Sequence, residues 1–392
     1  MTGGGRPPRV ALVGANGHGR WHRRAIAPLH AAGRLCLAGL VDVRPLEEEP
    51  AAPVPPGTRT FTDHRAMLAA VRPDVVVVCT PPHTHLPIAL DVLAAGADLL
   101  LEKPPVLDLA EHRALAGAAA AGGRAVQIGF QALGSAALAE LTGALAAGRL
   151  GPVSRVGAVA AWRRPDGYYA RSPWAGRRSL GGRPVLDGAL ANPLAHAVMQ
   201  CLAVAEAVTG APVQPARIEV ERYRVRPIEV DDTAVLRLTP RDGPPVLAAL
   251  TLAGEDFVPG EVVVTGGRGR AVLEYPTDRL LLPGEPAPRV VPGRRGLLEN
   301  LLDHRADGTP LIAPLARTAP FTGVLDALRA APEPALLGGA LVGTVGDGPR
   351  RERVLRGVNA VLRHAAETGV LPSEAGVPWA VAPYRFEEAP QR

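Results

Sequence analysis

Through its first 130 residues the chain alternates short apolar runs with stretches of helical periodicity. Arg9–Val13, Leu35–Val41, Asp74–Cys79, Asp98–Leu101 and Ala125–Phe130 read as strands. The Val-rich run up to Cys79 has no polar face, the pattern of a strand buried on both sides. Between these runs His18–Ala32, Thr62–Val71, Leu86–Ala95 and Leu109–Ala121 read as helices, and a Pro-rich loop fills Pro45 to Gly57. Strands separated by single helices of this length predict a doubly wound parallel sheet of the Rossmann type.

The rhythm changes near residue 134. One connecting helix is predicted over Ala136–Ala147. Strand patterns then dominate, at Val153–Arg163, Arg217–Val225, Thr233–Leu238, Val246–Leu252, Glu261–Thr265, Ala271–Tyr275 and Leu280–Leu282. Short turns rich in Gly and Pro join several of them, which suits a mostly antiparallel sheet. Helical patterns fall at Pro193–Val208, Leu297–Arg305 and Phe321–Ala331, with a last helix predicted over Arg351–Thr368. The expected class is α/β. A Rossmann dinucleotide-binding domain occupies residues 1–131, and a C-terminal α/β domain with an open, mostly antiparallel sheet occupies residues 132–392.

Composition narrows the function classes. The 47% of hydrophobic residues is too high for a disordered chain. A net charge of +5 suggests nucleic acid at first sight, but the arginines are spread along the whole length without a dense basic run, so no nucleic-acid partner is expected. No apolar run reaches membrane length, and the opening MTGGGRPPRVALVG lacks the form of a signal peptide. Cys36, Cys79 and Cys201 lie far apart and form no zinc-type spacing. A cytoplasmic protein with no metal is the expectation. One count stands out: of 43 basic residues, Lys103 is the single lysine. Arginine stays protonated at any useful pH, whereas a buried lysine can give up its proton. The retained amine therefore points to proton transfer.

The candidate chemistry follows the strand ends. Gly14-Ala15-Asn16-Gly17-His18-Gly19 stands after the first strand, where a dinucleotide-binding turn belongs. Gly14, Gly17 and Gly19 give the turn its freedom, while Asn16 occupies the position of the second glycine. Asp42, 28 residues after Gly14, ends the second strand and suits the ribose hydroxyls of NAD; Arg44 offers a 2′-phosphate a partner, which keeps NADP open. The loop Cys79-Thr80-Pro81-Pro82-His83-Thr84-His85 follows the Val-rich strand, so Thr80, Pro81 and His85 join the cofactor set. Glu102-Lys103-Pro104 follows the next strand. Burial there would lower the lysine pKa toward neutrality. Further on, Trp174, Arg177, Asp187, Asn192 and His196 flank a Gly-Gly turn. Asn192 reads as an N-cap and Pro193 as a first helical residue.

Taken together, RVALVGANGHG, LVDVRP, CTPPHTHLPIALDVLAAGADLLLEKP and WAGRRSLGGRPVLDG resemble the glucose-fructose oxidoreductase / inositol dehydrogenase / rhizopine-catabolism (Gfo/Idh/MocA) family. The resemblance runs from about Arg9 to His196. It implies a nicotinamide cofactor and a sugar, inositol or related polyol as substrate. It implies association through an exposed sheet face as a homodimer or homotetramer, and Lys103 as the catalytic group. The family pattern D-x-x-x-H is matched by Asp187, but its His position holds Ala191, and His196 comes five residues later. On this reading Lys103, Asp187 and His196 are catalytic, Glu102 orients Lys103, and Trp174, Arg177 and Asn192 line the substrate. Two other readings are a non-catalytic dinucleotide sensor, and an enzyme whose bound NAD oxidises and re-reduces its substrate around an elimination, epimerisation or glycosidic cleavage.

Overall fold

The computed structural model describes residues 6–387. The chain divides into two compact units: Met1–Gln131 with Arg295–Thr318, and Ala132–Arg294 with Ala319–Arg392. This differs from a single cut after residue 131, because the predicted helix near Leu297 returns to the first unit. The reason is a buried amide. Gln127 is fully buried, and its side chain donates to the Leu297 carbonyl (2.8 Å) and to Asn300 Oδ1 (2.8 Å) while accepting from the Ala313 N–H (2.9 Å). A buried amide left without those partners would cost about 1–3 kcal/mol.

In the first unit, strands β1 (Arg9–Val13), β2 (Cys36–Val41), β3 (Arg59–Phe61), β4 (Val75–Val78), β5 (Asp98–Leu101) and β6 (Val126–Ile128) form a parallel sheet in the order β3-β2-β1-β4-β5-β6. Helices α1 (Gly19–Ala31), α2 (His64–Val71), α3 (His85–Ala94) and α4 (Leu109–Gly122) make the crossovers. All four valines of β4 are buried, as a central strand covered on both faces requires. Asp63 and Asp108 cap α2 and α4 by accepting from the N–H groups of Arg65 and Glu111. Strand order reverses between β2-β1 and β4, which opens a crevice at the carboxyl ends of β1 and β4.

The second unit is built on a mixed, mostly antiparallel sheet of ten strands. Helices α5 (Ala136–Ala146), α6 (Ala195–Thr209), α7 (Ala319–Ala330) and α8 (Val358–Thr368) accompany it. Its centre is β7 (Val153–Arg163), followed by β8 (Pro215–Arg224), β9 (Thr233–Pro240), β10 (Val246–Thr251) and β11 (Ala253–Gly266). β7 runs parallel to β10 and antiparallel to β11. Two predictions fail locally. Residues 352–355 form a strand paired with Val342–Val345, and the last helix starts only after Gly357, whose φ of +76° breaks the pattern. Asn192 is not the N-cap of α6: the residue before α6 is Leu194, and the Asn192 amide donates to Asp187.

Helices α6 and α8 both pack on β7, β10 and β11. Val358, Leu362, Ala365 and Ala366 give α8 an apolar stripe that meets Val159, Val235, Leu247 and Ala249 of the sheet. At Gly157 the helix backbone comes so close that a Cβ would lie 2.1 Å from the Ala366 carbonyl oxygen. Gly157→Val is therefore expected to lift α8 and destabilise the protein by about 3 kcal/mol or more. Urea unfolding checks this, and a midpoint matching wild type would remove the close contact from the account.

Candidate active site

The glycine turn after β1 is held by its backbone. The Gly14 and Ala15 N–H groups both donate to the Val41 carbonyl, at 2.9 and 3.1 Å. Gly14 has φ +83°, and a Cβ there would sit 2.1 Å from the Cys79 carbonyl oxygen and 3.1 Å from Thr80 Cγ2. A Cβ on Gly19 would fall 1.8 Å from the Gly14 carbonyl oxygen. The loop thus leaves its outer backbone free for a pyrophosphate, and α1 points its N-terminus at that space.

Asn16 does not act as a glycine. Its side chain bridges the next loop, donating to the Pro45 carbonyl (3.0 Å) and accepting from the Glu47 N–H (2.8 Å). Asp42 is fixed in turn: Oδ2 accepts from the Asn16 N–H (2.9 Å) and Oδ1 from the Arg44 N–H (3.0 Å). Remaining lone pairs on both oxygens can take ribose hydroxyls. The Arg44 guanidinium is exposed and lies 4.0 Å from Asp42. Arg20 and Arg24 of α1 both reach Glu49, which pins the far side of the same loop.

The loop after β4 packs Thr80 against Gly14 and forms a short turn over Pro82–Thr84. His85 is fully buried, with Nδ1 2.8 Å from the Pro104 carbonyl and Nε2 2.8 Å from the Thr80 carbonyl. Burial drives its pKa down, against the upward pull of the two carbonyls. Each ring nitrogen faces a backbone carbonyl, the neutral imidazole donating to one of the two, and His85 ties the β4 loop to the β5 loop. His83 lies half-buried on the turn. Burial raises the Cys79 thiol pKa.

Glu102 is the best-connected carboxylate at the strand ends. Oε1 meets His22 Nε2 at 2.9 Å and accepts from Gln131 Nε2 at 2.6 Å, while Oε2 accepts from the Lys103 N–H at 3.1 Å. Burial alone would raise its pKa; the His22 hydrogen bond and the charges of His22, His18 and Lys103 outweigh that and hold it down at about 2. Gly129 makes room, since a Cβ there would be 2.8 Å from the carboxyl. His18 Nε2 is 3.8 Å from Glu102 Oε1, and the ligand atoms of His18, His22 and Glu102 all lie within 4.8 Å. That set has metal-ligand chemistry, and Glu102 Oε1 takes part in two hydrogen bonds, with His22 and Gln131. Sequence reading missed His18, His22, Gly129 and Gln131. The available signal was the spacing of His18 and His22, four apart at the start of the helix behind the glycine turn.

In the second unit Asp187 gathers its neighbours. It is buried, accepts two hydrogen bonds from Arg171 Nη2 (2.9 and 3.1 Å), one from the Gly176 N–H (2.8 Å) and one from Asn192 Nδ2 (2.6 Å). The Arg171 guanidinium stacks on Trp174, 4.8 Å from the ring centroid. Asp187, Asn192 and Trp174 are thus brought together through Arg171, a residue not singled out from sequence. Arg177 turns to Glu229 at 2.5 Å. His196 sits in the first turn of α6.

Residues 8–130 match the family model described as an oxidoreductase family with an NAD-binding Rossmann fold, Gfo/Idh/MocA. This stretch is similar to the Rossmann domain of that family. The collisions at Gly14 and Gly19 show that the turn tolerates no side chain at either position, and the matched family is described as NAD-binding. Inositol 2-dehydrogenase 4 of Saccharopolyspora erythraea is 35% identical over 147 residues, 37% of this chain and 43% of the relative. D-glucoside 3-dehydrogenase of Escherichia coli is 33% identical over 106 residues, 26% of this chain and 28% of the relative. The alignments thus span less than half the length of these curated relatives. The WlbA dehydrogenase of Bordetella pertussis, solved with NADH and UDP-GlcNAcA, superposes with a TM-score of 0.67 at 22% identity, covering 82% of this chain and 95% of WlbA. Aldose-aldose oxidoreductase of Caulobacter crescentus gives 0.64 at 21% identity, over 82% and 96%. Both share the fold. Among the described residues no helix is long and apolar enough to cross a membrane.

Proposed function

We propose that the chain is an NAD-dependent oxidoreductase that moves a hydride between nicotinamide and a secondary alcohol or ketone of a sugar, inositol or related polyol. The observation that carries this reading is the placement of Lys103. The one lysine follows β5 directly, next to a buried Glu102 that grips its backbone, on the same strand ends that hold the glycine turn. Bound nicotinamide supplies the hydride acceptor. Lys103 takes the hydroxyl proton during oxidation and returns it in the reverse direction, and its charge stabilises the developing alkoxide. Glu102, kept anionic, is a positioning residue for Lys103. His22 and Gln131 hold Glu102. Asp42 receives the ribose hydroxyls and repels a 2′-phosphate, which favours NAD over NADP.

Fluorescence titration with NADH and NADPH, followed by a sugar and polyol panel with NAD, tests the reading. NADH is expected to bind at least about tenfold more tightly than NADPH, the effect of one close like-charge contact at the surface. Turnover of a polyol or sugar is expected with it. Absence of binding by either dinucleotide would overturn the proposal.

A further inference from the structure

Among the described residues, one group of three side chains brings metal-ligating atoms together: His18, His22 and Glu102. All three belong to the first unit. His18 directly precedes α1 with helical angles, φ −65° and ψ −25°, so it stands four positions before His22 on one helical face. Two imidazoles at that spacing can close on one ion, as the paired histidines of helical zinc sites do. Glu102 follows β5 and supplies the third ligand from a different element.

The ligand atoms form a small triangle. Glu102 Oε1 lies 2.9 Å from His22 Nε2 and 3.8 Å from His18 Nε2, and the ligand atoms of the three all lie within 4.8 Å of one another. Zinc holds nitrogen at about 2.0–2.1 Å and carboxylate oxygen at about 2.0–2.2 Å, which sets neighbouring ligands of a tetrahedron about 3.4 Å apart. One edge of the triangle is shorter than that and one is longer. His22 and Glu102 are buried and fixed. His18 is the adjustable member: its side chain is 63% exposed and stacks on Trp21, with 6.0 Å between ring centroids. Its exposure also gives an ion a way in.

The chemistry of the set suits a cation. A buried carboxylate is stable when it is paired or bound to a metal. Gln131 Nε2 donates to Oε1 at 2.6 Å, the kind of outer hydrogen bond that orients a carboxylate ligand. A hydrogen bond joins Oε1 to His22 Nε2. A metal takes the place of its proton, and the neutral His22 ring then carries its hydrogen on Nδ1. Imidazole with carboxylate selects Zn²⁺ and its transition-metal neighbours over Mg²⁺ and Ca²⁺. Three protein ligands leave a fourth position for water.

We infer that His18, His22 and Glu102 form a binding site for one divalent ion of the zinc class, completed by a solvent ligand. The inference requires neither NAD nor turnover, so it stands independently of the reaction proposed above.

The experiment titrates the full chain, free of any affinity tag and stripped with EDTA, with ZnCl₂ by isothermal calorimetry and by competition with a chromophoric zinc indicator. NADH is left out. One equivalent of zinc per chain is expected to bind. His18→Ala, which alters an exposed side chain, should weaken binding at least about 100-fold, since even the outer partners of a metal site are worth about 10–100-fold. Glu102→Gln, which keeps the shape and removes the charge, should do the same. CoCl₂ in place of zinc should give a visible absorption band that His18→Ala abolishes, and excess Mg²⁺ should not displace zinc. His64→Asn, at a histidine bonded to Asp91 instead, should leave the titration unchanged. Absence of saturable zinc binding by wild type overturns the inference. So does binding left unchanged by His18→Ala, displacement by Mg²⁺, or loss of binding in His64→Asn. Should Glu102→Gln fail to fold by circular dichroism, His18→Ala decides.

Discussion

Replacing Lys103 by methionine is expected to lower turnover by about 10³-fold, within the range that a positioned proton-transfer group supplies, while the NADH dissociation constant stays within about threefold of wild type. Methionine keeps the length and apolar stem of the side chain and removes only the amine. The informative comparison is Lys103→Arg. If the site needed only positive charge, arginine would serve, as it does at the other 42 basic positions. If a proton must leave the side chain, arginine fails nearly as badly as methionine, because its guanidinium does not deprotonate. Steady-state rates with a responsive sugar, and NADH fluorescence on the same preparations, separate the two cases. Retention of more than about a tenth of the rate in Lys103→Arg would remove the lysine from proton transfer, since a positioned acid–base group contributes far more than that.

Gly14→Ala is expected to abolish dinucleotide binding and to lower stability together. The left-handed backbone at φ +83° costs an alanine about 1–3 kcal/mol. The added methyl would also stand 2.1 Å from the Cys79 carbonyl oxygen, on the loop that follows β4. β1 and β4 are hydrogen-bonded neighbours buried on both faces, so neither strand can move aside cheaply. The relief open to the chain is to push the glycine turn outward, into the space a pyrophosphate needs. NADH titration should show at least about a 100-fold loss of affinity, equivalent to roughly 2.7 kcal/mol, and thermal unfolding should show a lower Tm. Gly17→Ala is the contrast. Its φ of +55° is strained, but a Cβ there meets nothing within 4 Å, so its effect should be the smaller.

The parts of the fold that were legible in the sequence are those where local pattern and burial coincide. The four valines of β4 could face only a covered strand, and the glycine turn could stand only between β1 and α1. The C-terminal segment was misread at residues 352–355 because its spacing fits a helix as well as a strand. Pairing with Val342–Val345 settled it, and pairing is not a local property. At Asn192 residue type suggested a cap, and the nearby carboxylate of Asp187 won. The candidate site was half legible for the same reason. Glu102 and Lys103 announce themselves at a strand end, but His22 reaches Glu102 across 80 positions and Gln131 across 29.

The discontinuity of the first unit bears on how the chain is made. Synthesis proceeds at about 5–20 residues per second. Residues 132–294 must all emerge before Arg295–Thr318 can complete that unit, a delay on the order of ten seconds to half a minute at that rate. Through that interval the nascent Rossmann sheet lacks its returning helix. Gln127, fully buried in the finished protein, waits without the Leu297 carbonyl, the Asn300 side chain and the Ala313 N–H. The unit that binds the cofactor is thus begun first and closed late. An isolated fragment ending at residue 131 would carry the glycine turn and Lys103 on an unfinished sheet, open to aggregation and to chaperone capture.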